Sequence, residues 1–141
     1  MILAKHIITV INSFMTHPSG KTAYNRTVIK YVQWEDTTDR NYMSSGATFI
    51  DKHISIIIPK TADTQGKKYV PAKEWGLLPE AQQLLTWTLE PNTDIFYGEV
   101  PELTGGYTYT QVRKDFRYCL VKTIDDLANQ PIMPHWEIVG I

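Results

Sequence analysis

The chain has 141 residues, a formal net charge of −1 and one cysteine, Cys119. That length fits a single domain spanning 1–141, able to bury about 70% of the surface its unfolded chain exposes. Near-neutral charge excludes a whole-surface grip on nucleic acid, though a local basic ring in an oligomer is left open; one thiol excludes an intrachain disulfide and a Cys-rich zinc site.

A lone free thiol suits a reducing compartment. The N-terminal stretch Met-Ile-Leu-Ala-Lys-His-Ile-Ile is apolar but interrupted by Lys5 and His6. It has no basic stretch ahead of an apolar run and no small-residue cleavage site, so it does not read as a signal peptide. No apolar run approaches the roughly 20 residues a membrane helix needs.

The elements read as short apolar or alternating runs separated by turn clusters, the pattern of an antiparallel sandwich or barrel. His6 to Phe14, rich in Ile and Val, is the first strand. Thr16 to Lys21, with Pro18 and Gly20, is a turn. Ala23 to Trp34 is the second strand. Val28, Tyr31, Val32 and Trp34 are its core candidates, with Arg26, Lys30 and Gln33 facing partly outward; the imperfect alternation predicts a bulge. Glu35 to Gly46 is polar, lacks apolar periodicity and reads as a long loop. His53 to Ile58 is the strongest strand, ended by Pro59, which cannot donate to a ladder.

Lys60 to Lys68 is a second polar loop. Pro71 to Trp75 reads as a connector or helical turn anchored by Trp75. Leu84 to Leu89 and Asp94 to Val100, joined by Glu90 to Thr93, read as a second hairpin. Thr108 to Arg117 is the one helical segment: Val112 and Phe116 are four apart, and Arg113, Lys114 and Arg117 lie toward the C-terminal end that favours cations. Tyr118 to Ile124 is a strand, Asp125 to Pro134 a loop, and His135 to Ile141 a last strand. The fold class is therefore mostly β, barrel or sandwich, with one short helix near 108–117 and long polar loops.

A reaction centre is not visible. Cys119 lies in an apolar run and reads as a buried, inert thiol. No Gly-x-Ser-x-Gly elbow occurs. His6, His17, His53 and His135 have no ligand-like spacing to one another. Gly105-Gly106 is a lone pair that reads as a turn. Asp125-Asp126 and Glu35-Asp36 are adjacent, so on a strand each pair would split between faces. Neither a metal nor an organic cofactor is expected, and the reading is non-enzymatic. Trp34, Trp87 and Trp136 sit in strand runs and read as core. Tyr42, Tyr107 and Tyr109 are the candidates for exposed contact, and their clustering on one face would mark an aromatic ligand-binding module instead.

The order of these runs resembles that of the head–tail joining proteins of tailed bacteriophages and prophages, the minor capsid or head-closure (stopper) family. The matching stretches are Ile-Thr-Val-Ile-Asn-Ser-Phe, Arg26 to Ile29 leading to Val32 to Glu35, and Ile-Ser-Ile-Ile-Ile-Pro ending at Pro59. Lys68 to Val70, Trp87 to Leu89, Asp94 to Glu99 and His135 to Gly140 complete them. Leu77 to Gln83 and Thr104 to Tyr109 depart from the pattern of some members. The resemblance implies a β-barrel structural protein of the virion neck, made in the bacterial cytoplasm with no membrane partner. It would form a homo-oligomeric ring of six copies, contacting portal or adaptor and tail proteins and helping to retain packaged double-stranded DNA. A tail terminator or capsid decoration protein of the same virion is the alternative. Docking or gating is expected of the Glu35 to Lys52 loop, through Asp36, Asp39, Arg40 and Tyr42. A second interface is expected of the Lys60 to Lys68 loop, through Lys60, Asp63, Lys67 and Lys68.

Overall fold

The computed structural model describes residues 5–16, 20–42, 46 and 48–141, with 38–42 and 48–51 described by their backbone pairing. Among these residues the elements are β1 (His6–Met15), β2 (Thr22–Tyr42), β3 (Thr48–Pro59), β4 (Lys68–Tyr69), α1 (Ala72–Trp75) and α2 (Glu80–Gln83). They continue with β5 (Thr86–Trp87), β6 (Asp94–Tyr97), α3 (Tyr109–Asp115), β7 (Tyr118–Leu127) and β8 (His135–Gly140). The strands close into an antiparallel barrel in the order β1-β2-β3-β8-β7-β6, sealed by β6 on β1. The fold is a β-barrel, as the alternating runs predict. None of the described helices is long and apolar enough to cross a membrane.

Two layers of core explain the densest apolar run. Ile8, Val10, Ile29, Val32, Trp34, Ile56, Ile58, Ile95, Cys119, Val121 and Ile138 fill the barrel together with Trp87 and Trp136. Ile11 and Phe96 instead join Val100 and Val112 in a second cluster, against which Tyr107, Tyr109 and Phe116 pack. The 98–117 excursion, with α3, thus covers the outside of β1 and β6. A strand covered on both faces reads as a continuous apolar run, which is why residues 8–12 are all buried.

β8 shows the opposite case. It has one interior face and one facing outward, and its burial alternates strictly from His135 to Gly140.

α3 starts where its sequence places it. Thr108 and Gln111 form a capping box, each side chain accepting from the other's backbone N–H. The bulge in the second strand is at Tyr31. Ile7 pairs with Lys30 and His6 with Val32, so Tyr31 is the extra residue, held at φ 71°. It is therefore not core: the bulge turns it out, 59% exposed, while Val28, Val32 and Trp34 are buried.

Three further expectations are overturned. Within the expected Glu35 to Gly46 loop, Glu35 to Tyr42 is strand: β2 continues to Tyr42 and pairs with β3 down to Tyr42–Thr48. The second hairpin does not form. β5 pairs in parallel with β4, and β6 is taken by β1 and β7. Residues 86–88 are held instead at one rung of the barrel, where Asn12 and Asn25 oppose each other. Asn12 donates to Thr88 O (2.9 Å) and accepts from Thr88 N (3.2 Å), and Asn25 donates to Thr86 O (2.6 Å). These amides act as a surrogate strand for residues 86–88, and they send Trp87 and Leu89 into the barrel core. Finally, Asp125 to Leu127 is strand, paired with His135 to Glu137, so the loop there is shorter than expected.

Candidate functional site

The long β2–β3 hairpin is the main departure from a plain barrel. Among the described residues, β1 pairs with β2 only as far as Val32, and β8 pairs with β3 only from Ile54 onward. Among the described residues, Thr37–Tyr42 and Thr48–His53 therefore pair only with each other. They form a two-stranded arm about 20 Å long at ~3.3 Å per residue. Such a ribbon is marginally stable without a third strand or a packed face.

The base of the arm is fixed by side chains. Arg117, at the start of β7, forms an ion pair with Asp36, and its guanidinium lies 5.9 Å from the centre of the Trp34 ring. Trp34 N–H donates to His6 Nδ1 at 3.1 Å. Of the predicted docking residues, Asp36 is thus engaged within the chain. Asp39 pairs in register with Asp51, Arg40 with Ile50 and Tyr42 with Thr48.

The sequence does carry a signal for this arm. β-formers Tyr42, Thr48, Phe49 and Ile50 flank a Ser-Ser-Gly sequence of turn-favouring composition. Arg117 as the strut at its base could not be found from sequence, because it is distant in the chain.

The second predicted interface loop divides. Lys60 and Lys68 are exposed, and Asp63 is exposed with its carboxylate accepting from Gln65 N–H at 2.9 Å. Asp63 also exchanges two backbone hydrogen bonds with Lys30 (2.9 and 3.1 Å), tying the loop to β2. Lys67 is engaged within the chain. Its ammonium donates to Asn25 Oδ1 (2.8 Å), Arg26 O (2.6 Å) and Thr27 Oγ1 (3.3 Å). Burial, aided by the nearby Arg26 charge, holds its pKa below the ordinary lysine value. Lys60, Lys68, Tyr69, Asp126 and Trp136 border a cavity of about 420 Å³ beside this loop. Tyr69 packs on Trp136 (4.7 Å) and Trp87 (5.0 Å), and burial with the Asp126 charge pushes its hydroxyl up to about 12.

Of the candidate aromatic contact residues, two are placed by their side chains. Tyr107 and Tyr109 pack against the second core cluster, whereas Tyr42 lies in the arm. Tyr109 stacks on Tyr24 (5.2 Å) and donates to Asp94 Oδ2 at 2.8 Å. Asp94 is buried, and the same oxygen faces Arg113 Nε at 3.3 Å.

Cys119 is buried in the barrel, and burial with the Asp94 charge raises its thiol to about 11. His6 and His135 are engaged with backbone groups, His53 lies in the arm, and His17 is outside the described residues. Among the described residues no three His, Cys, Asp or Glu converge as a metal site.

No curated protein and no solved structure matches the chain. One family model matches it over residues 3–141, and the chain accordingly belongs to that family, described as a family of unknown function (DUF6751).

Proposed function

We propose that this is a structural assembly protein, and that the arm is the element that docks it to its neighbours. The observation that carries the reading is the arm itself, a paired ribbon leaving a barrel that is otherwise closed on itself. Closure removes the free edges by which sheets associate, so among the described residues the arm concentrates the unpaired strand edges of the barrel wall. A partner packed on it supplies what the third strand would. Combined with the resemblance in strand order to head–tail joining proteins, the reading becomes a head-closure ring in the neck of a tailed phage. There the barrel would form the ring wall and the arm would reach the adjoining ring or the channel.

The test is to shorten the arm. Replacing Thr38–Lys52 with Asn-Gly joins Thr37 to His53, a register pair, through a two-residue hairpin turn. The barrel should melt within a few degrees of the unaltered protein. The phage or prophage carrying the change should yield heads that lose DNA or lack tails. Normal infectious particles from the shortened protein would sink the proposal.

A further inference from the structure

The arm has two faces, and the register assigns residues to each. Trp34 is buried in the barrel and Glu35 is exposed, and alternation carries that difference outward. The face continuing from Trp34 takes Asp36, Thr38, Arg40 and Tyr42, with register partners Ile54, Lys52, Ile50 and Thr48. The opposite face takes Glu35, Thr37, Asp39 and Asn41, with partners Ser55, His53, Asp51 and Phe49.

Charge separates between them. Glu35, Asp39 and Asp51 share the outer face, which has no Lys or Arg. Arg40 and Lys52 share the other, whose single carboxylate, Asp36, is paired with Arg117. Asp39 and Asp51 are moreover direct register partners. Like charges at one rung destabilise a strand pair, so a cationic surface laid on that face relieves the arm.

We propose that the arms of neighbouring copies of this chain pack face to face, the acidic face of one on the basic face of the next. The complementary surface is already present on the chain: the basic face of the arm is the charge counterpart of its acidic face. Contact between two different surfaces of identical copies is heterologous, and such contacts close into a ring when the rotation allows. This rests on reading the arm as an assembly element and adds which surfaces meet.

The test uses the full chain in sedimentation velocity at low and high salt. The unaltered protein should self-associate, less tightly as salt rises. Asp39→Lys/Asp51→Lys makes both faces basic, and Arg40→Glu/Lys52→Glu makes both acidic; each should weaken association by at least about 100-fold. An equimolar mixture of the two should associate again, as should the chain carrying all four changes. The neutral pair Asp39→Asn/Asp51→Asn removes the like-charge rung. It should raise the melting temperature while weakening association about tenfold, opposite movements that loss of folding would not produce. A monomer at every concentration, double variants that associate as the unaltered protein does, or failure of the mixture to recover would each overturn the proposal. Charge variants that leave association intact while arm shortening abolishes it would refute face pairing and leave the assembly role standing.

Discussion

Gly140→Ala probes the tightest approach in the barrel wall. β8 lies between β3 and β7, and Gly140 pairs with Ile54 on one side and Val121 on the other. A Cβ on Gly140 would stand 2.3 Å from Leu120 O and 2.4 Å from Cys119 Sγ. Both lie far inside van der Waals contact. Leu120 cannot easily retreat, because its N–H and C=O are bonded to Ile141 O (2.8 Å) and Ile141 N (3.0 Å). Overpacking a core costs about 1–3 kcal/mol, and a clash with fixed backbone belongs at the upper end, about 3 kcal/mol. In a domain of this size each kcal/mol moves the melting temperature by about 3–4 °C, so the expected fall is about 10 °C. Scanning calorimetry should show this against Gly105→Ala, where nothing lies within 4 Å of the added carbon. Adding Cys119→Ala to Gly140→Ala removes the sulfur clash but leaves the carbonyl, so it should recover part of the loss. A Gly140→Ala protein melting within about 2 °C of the unaltered one would refute the steric argument.

Cys119 should resist a thiol reagent at neutral pH and react only as fast as the barrel opens, because it is buried and its pKa is raised to about 11 from the ordinary 9.0. Between those values the unfolded chain is thiolate while the folded chain keeps its proton. The thiol's contribution to stability is therefore present below pH 9 and is lost as pH rises toward 11; comparison with Cys119→Ser in urea titrations isolates it. Asp94→Ala should cost about 2 kcal/mol by leaving the Tyr109 hydroxyl without its acceptor, and Tyr109→Phe, which keeps the ring packing, about 1 kcal/mol. Equal costs in urea unfolding would refute that assignment. Thr108→Ala removes one half of the capping box and should cost about 1 kcal/mol, with exchange of the α3 amides accelerated before that of β1.

Much of the barrel is legible in the sequence because strand burial leaves a local signature. The alternation in His135 to Gly140, the Ile-rich run ended by Pro59 and the turn residues of the first hairpin each depend on neighbours in the chain. The capping box of α3 is likewise contained within Thr108–Gln111. What the tertiary structure decided depends on residues far apart. The place of residues 86–88 depends on the Asn12–Asn25 rung, which holds the backbone of Thr86 and Thr88 from more than sixty positions away. Lys67 looks like any loop lysine until Asn25, Arg26 and Thr27 are brought around its ammonium. The arm was missed for a different reason. A two-stranded ribbon with no core behind it need not bury one face, so its residues are free of the apolar period that marks a strand. The β-formers around Ser-Ser-Gly hint at a hairpin, but the register with β3 shows how far it runs, through Glu35 to Tyr42, and which positions share a face.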